Sequence, residues 1–227
     1  MISIKHRNTH EVLTTLEGDS LKGSSLAHGM LLYGDLHGAD LRQADLRQAN
    51  MCNCDLIGAD LSEAQMTAAD LSGSDLTDAK LRGAILVAAR LLAITFVRTN
   101  LRGADLDRAT FTYSTFRDAD LTEAMLERAD LRHVVMDHAD LTGADLSYAH
   151  FGSSVLGYSN FTFASLVGAV FQGTDIRNAT FQNADLSLSI FVGADLAGAD
   201  FTQANTRGTT FVDCRNIGQA KGLDLPT

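Results

Sequence analysis

From Leu21 onward a large apolar residue recurs at every fifth position, through Leu26, Leu31, Leu36 and Leu41 to Phe211, without a slip. Of these 39 centres, 24 are Leu, ten Phe, three Met and one Ile, and only Thr206 is polar. Two residues before nearly every centre the side chain is small, with Ala at 24 of the 39. Between the two stands Asp at 16 positions, as in Ala39-Asp40-Leu41, Ala59-Asp60-Leu61 and Ala199-Asp200-Phe201. A period of five fits neither the 3.6 of a helix nor the 2.0 of a strand, so each unit of five must be a structural element in itself. On extended backbone the small and the large residue point to one side and the Asp to the other. Glycine, found two positions after 12 of the centres, then gives a permissive backbone where the chain turns.

The A(D/N)LXX units, as in Ala44-Asp45-Leu46-Arg47-Gln48, resemble the pentapeptide-repeat family over about residues 19 to 213. The resemblance implies an all-β fold, a right-handed quadrilateral β-helix in which four units make one coil and every twentieth residue stacks. The 39 units would then wind about ten coils into a solenoid about 47 Å long. Open solenoid ends expose core and need covering, and both termini leave the repeat. Residues 1–18, with Ile2 and Ile4 alternating, a polar turn at Arg7-Asn8-Thr9-His10, then Val12 and Leu13, suit a hairpin cap. In residues 214–227, Asn216 to Gly222 suits a short capping helix ended by Gly222, followed by a closing tail from Leu223 through Asp224 and Leu225 to Pro226.

The net charge of -10, from 28 acidic and 18 basic residues, argues against direct nucleic-acid binding, which uses Lys and Arg to neutralise phosphate. No run approaches the roughly 18 apolar residues of a membrane span, and three cysteines make no disulfide framework, so a soluble, cytoplasmic protein is expected. Cys52-x-Cys54 lacks further ligands at metal spacing, and Cys54 falls in the inward small register. His133 and His138 fall near corners as surface side chains. No G-x-S-x-G elbow, phosphate-cradling loop or long insertion is present. A non-enzymatic chain without cofactor or metal is therefore expected, acting as a structural or protein-interaction rod.

Two surfaces are candidates for contact. Asp40, Asp60, Asp120, Asp140 and Asp200 share one side, and Asp45, Asp105, Asp145 and Asp185 the next. Their simplest role is to accept backbone hydrogen bonds in Asx-turns; the sharper alternative is a negative face that imitates DNA. Members of the resembled family act as DNA mimics on DNA gyrase and topoisomerase IV in quinolone resistance, so the resemblance implies gyrase as an alternative partner. The regular A-D-L units here set the chain apart from that subset, and Arg42, Arg82 and Arg102 stack with Lys22 near the acidic column. The second surface is apolar: Val170 stacks with Ile190 and Val192 with Val212, with Val167 and Leu188 around the same corner, a strip suited to an unidentified protein partner or a second copy. Gyrase-binding members of the family pair through their C-terminal ends, so a C-terminal homodimer is expected. Farther from the end, Ile85, Val87, Leu92 and Val97 lie in outward register, and Ile94 replaces a small inward residue, which predicts local crowding of the core. Nine of the 23 centres after residue 100 are Phe, which predicts a more aromatic C-terminal core.

Overall fold

The computed structural model describes residues 1–223. From the first centre to the last, the chain advances in units of five whose backbone contacts recur at an offset of twenty, so four units complete one coil. Leu41 illustrates the bonding. Its N–H donates to Asp60 O at 2.8 Å, the Gln43 N–H to Ser62 O at 3.0 Å, and the Asp60 N–H returns to Ala39 O at 2.9 Å. A fourth bond, from the Ala44 N–H to Leu41 O at 3.1 Å, closes the corner. The outward residues form single β-pairings between coils, as in Asp40 with Asp60 and Asp60 with Lys80, all parallel. The fold is thus nearly all extended backbone and tight turns, with a single short helix among the described residues.

Nearly every corner has a bond from the fourth residue back to the first and a positive φ only at the third, the signature of a type II turn. That left-handed position comes two residues after every one of the 39 centres, yet only 12 of them are glycine. The other 27 include Gln43 (φ 60°), Tyr113 (φ 65°) and His133 (φ 58°). A side chain there costs on the order of 1 kcal/mol. The cost is accepted because the same residue's N–H bonds the coil above, as Gln43 does, and leaving that amide unpaired would cost at least as much.

The centres and small residues fill the interior: Leu41, Leu46, Leu56, Phe96 and Phe181 are wholly buried, as are Ala44 and Ala59. The C-terminal core is aromatic. Phe151, Phe171, Phe191 and Phe211 stack in one column with centroids 4.4–5.0 Å apart. Phe161, Phe181 and Phe201 stack in the opposite column at 4.9 Å. The two columns meet edge to face at 6.1–6.5 Å, a geometry that favours the ring quadrupoles. Ile94 is buried without crowding a large neighbour, since Ser74 lies below it in the column and Ser114 above. Its turn is open: the Ser114 hydroxyl accepts from the Ile94 N–H at 3.1 Å and donates to Leu91 O at 2.7 Å, replacing the corner bond. Val134 repeats the arrangement with Ser154, at 3.1 and 2.7 Å.

At the N-terminal end, β1 (Ile2–His6) and β2 (Val12–Leu16) form an antiparallel hairpin. β1 also pairs antiparallel with β3 (Gly34–Asp35) in the first coils. Ile4 is buried, and Ile2, Leu13 and Leu16 pack on the end of the core; Leu21, Leu26 and Leu31 are buried beneath. At the other end β4 (Ile190–Val192) pairs parallel with β5 (Thr210–Val212). Arg215 still pairs with Asp195 at an offset of twenty, but Lys221 pairs with Asp200 at twenty-one. The extra residue is taken up at Asn216, which is left-handed (φ 56°) and opens a single 3-10 turn over Ile217–Gln219. The helix expected over Asn216 to Gly222 is thereby shortened: Ala220 is already extended, so Gly222 does not end it. Asp224, Leu225 and Pro226 of the expected tail lie outside the described residues.

Candidate interaction surfaces

The acidic register is tied into the backbone. Of the five amides in a unit, the one just after the centre has no backbone partner, and the Asp just before the centre supplies it. Asp40 Oδ1 accepts from the Arg42 N–H at 3.3 Å, Asp60 from Ser62 at 3.1 Å, Asp120 from Thr122 at 3.0 Å, Asp140 from Thr142 at 3.0 Å and Asp200 from Thr202 at 2.9 Å. On the adjacent side Asp45, Asp105, Asp145 and Asp185 do the same at 2.9–3.3 Å. Asn50, Asn100, Asn160 and Asn205 take the same role, each through Oδ1. The residues grouped by sequence do form two columns, but their charge is partly consumed. The Arg42 guanidinium grips Asp40 with two bonds of 2.7 Å and holds its pKa down at about 2. Arg47 does likewise to Asp45, also at about 2. One cluster behaves in the opposite way: burial, joined by the nearby carboxylates of Asp105, Glu127 and Asp145, pushes the Asp107 pKa up.

The apolar strip is assembled as the five-residue step requires. Val170 pairs with Ile190, Ile190 with Thr210, and Val192 with Val212. Leu188, Ile190 and Val212 are 61%, 39% and 44% exposed, while Val167, Val170 and Val192 are half-buried. Leu188 stands out because the corner above it is Gly208, where a Cβ would come within 3.0 Å of its Cδ2. Ser187, Leu188, Arg207 and Gly208 line a shallow depression of about 380 Å³. By contrast Ile85, Val87, Leu92 and Val97 are all half-buried, so that stretch presents no raised apolar patch.

The remaining side chains offer little reactive chemistry. Burial pushes the Cys52 thiol up to about 11 and Cys54 to about 12, so neither is poised as a thiolate. Among the described residues no group of three or more His, Cys, Asp or Glu could hold a metal ion, and no helix is long and apolar enough to cross a membrane. His133 and His138 do not meet each other. Each stacks on a corner tyrosine, His133 on Tyr113 at 4.9 Å and His138 on Tyr158 at 5.0 Å. These exposed corner aromatics, with Tyr148 and Phe163, were not singled out from sequence. Their signal was available, because a side chain two residues after a centre has only solvent to point into.

The repeat matches the family model described as pentapeptide repeats, in eight copies over residues 35–73, 74–112, 114–152, 154–191 and 181–215. Among solved structures, the chain is similar to HetL, a pentapeptide repeat protein involved in heterocyst differentiation regulation from the cyanobacterium Nostoc sp. strain PCC 7120. The identity is 34%, over 80% of this chain and 82% of that one, with a TM-score of 0.79. It shares its fold with a trypsin-treated form of QnrB1, a plasmid-mediated fluoroquinolone resistance protein, at 21% identity over 71% of this chain and 88% of that one, TM-score 0.52. No curated protein sequence matches the chain. With the family's repeat spanning most of its length and its apolar centres, small residues and corners in the places that repeat requires, the chain belongs to the pentapeptide-repeat family.

Proposed function

We propose that this chain is a non-catalytic interaction rod that engages a protein partner through the apolar strip near its C-terminal end. In that reading the rod is a right-handed quadrilateral β-helix of about ten coils, capped by residues 1–18 and 214–227, working in the cytoplasm without cofactor or metal. The observation that carries the proposal is the grouping of Leu188, Ile190 and Val212, all exposed, with the half-buried Val167, Val170 and Val192 around one corner near the C-terminal end, since exposed apolar patches mark contact sites. The similarity to HetL, a protein of regulation, favours a role exercised through contact. A second copy is one occupant of the strip, giving a C-terminal homodimer. Light scattering on the wild type and on Val192→Glu tests this. The expected result is an assembly, with itself or with a purified partner, that the substitution weakens; unchanged masses at high concentration would remove the strip as an interface.

A DNA-mimicking modulator of gyrase or topoisomerase IV is the second reading, supported by the stacked Asp columns. The Arg pairs at Asp40 and Asp45 and the Asx-turns weaken it, because they give the carboxylates a structural task. A gyrase supercoiling assay with and without a quinolone separates the two readings, and neither inhibition nor protection at micromolar protein is expected.

A further inference from the structure

The face whose centres run from Leu21 to Phe201 in steps of twenty changes sign along its length. In its N-terminal half, Lys22, Arg42, Lys80, Arg82 and Arg102 outnumber Asp40, Asp60 and Glu63. In its C-terminal half, Asp120, Glu123, Asp140 and Asp200 have no basic residue among them until Lys221, above Asp200. The pairings Asp60 with Lys80, Lys80 with Asn100, Asn100 with Asp120 and Asp120 with Asp140 hold these side chains in one straight outward column. Internal pairing does not cancel the polarity. Arg42 is taken by Asp40 at 2.7 Å and Arg102 reaches Glu123 at 3.2 Å, but Lys22, Lys80 and Arg82 are unpaired among the described residues.

We propose that this face is a self-complementary contact on which a second copy of the chain lies antiparallel. A two-fold axis in the plane of the face, placed between Asn100 and Asp120, reverses the rod but keeps each column on its own column. Lys80 then lies opposite Asp140 of the second copy, Asn100 opposite Asp120, Asp60 opposite Asn160, Arg42 opposite Gln182, and Arg102 beside Glu123. No two like charges are placed directly opposite each other anywhere along the face. Isologous contacts require this kind of self-complementarity. Another face fails the same operation, since reversing the one centred on Leu36 sets Asp55 against Asp195. The long basic side chains that follow the centres in the N-terminal half, Arg42, Arg82 and Arg102, would reach toward the short Thr122, Thr142, Thr162 and Thr202 in the C-terminal half of the second copy. A face about 47 Å long and about 10 Å wide covers on the order of 470 Å² per copy, at the weak, transient end of protein contacts. The dimer is therefore a weak, charge-steered one that forms at high local concentration, and it does not use the apolar strip.

Sedimentation velocity on the full chain tests it with two variants that leave every Asx-turn carboxylate in place. One carries Arg82→Glu and Arg102→Glu; the other carries Thr122→Lys, Glu123→Lys and Thr142→Lys. The wild type should dimerise in low salt and dissociate between about 0.1 M and about 1 M salt, where the screening length falls from about 10 to about 3 Å. Each variant alone should associate at least about tenfold more weakly, because like charges now meet. An equimolar mixture of the two should recover a heterodimer, which also shows that both are folded. A wild type that stays monomeric in low salt, or a mixture that gives no heterodimer, overturns the proposal. So does a dimer unaffected by the charge changes but lost with Val192→Glu, which would place the contact on the apolar strip.

Discussion

Ser114 shows how a single hydroxyl allows the repeat to tolerate an exception. At Ile94 the ordinary corner bond is missing, and Ser114, one coil above, bridges the two groups as both acceptor and donor. Ser114→Ala should leave the Ile94 N–H and the Leu91 carbonyl without partners in the core and destabilise the rod by about 1–3 kcal/mol in urea unfolding. Adding Ile94→Ala should restore the ordinary corner and return part of that loss, so the two changes should be non-additive. An Ile in the small inward register predicts crowding at Ile94. Small residues above and below it were visible in the period of twenty, but the rewired hydrogen bond was not, since it depends on how far the turn opens.

At the scale of the five-residue element, the Asp before the centre fastens one amide and is itself held by Arg in several units. Asp40 and Asp45 titrate at about 2 in the folded chain, below the roughly 3.9 of an unfolded Asp. Their ionised forms therefore stabilise the fold fully above about pH 4, and that contribution disappears as the pH falls through about 2. Asp40→Asn combined with Asp45→Asn should flatten the loss of thermal stability between those values, as read by calorimetry, while keeping the turns, because Asn fills the same role at Asn50 and Asn100. The unit itself was almost wholly legible: inward Ala and Leu, outward Asp and the corner all follow from a spacing of two within a period of five. Glycine was the misleading guide, since it marks only 12 of the corners. The others are fixed by ladder hydrogen bonds, which act between neighbouring coils, as from Gln43 to Ser62, and leave no local mark. Of the candidate surfaces, the stacking of Val170 on Ile190 was readable from numbering alone, whereas the prominence of Leu188 depended on the glycine that sits above it.

Across the whole molecule each coil touches mainly its neighbours, so stability is distributed along the rod as in other stacked arrays. The stacked phenylalanines weight it toward the C-terminal half. Phe181→Ala removes a wholly buried ring that stacks on both Phe161 and Phe201 and should cost about 3–5 kcal/mol. Hydrogen exchange should show the loss concentrated in the coils around residue 181, with the amides near Leu41 still protected.

The constant offset of twenty also makes the residue number a compass bearing. Removing one whole unit of five would preserve every inward and outward assignment, yet it would turn all later side chains by one side of the square. The apolar strip around Ile190 would then come to lie beneath a different N-terminal face, without a single contact residue being altered. In such a chain the relative direction of two surfaces is encoded by the count of residues between them, so short in-frame deletions can re-aim a binding surface while the core remains packed.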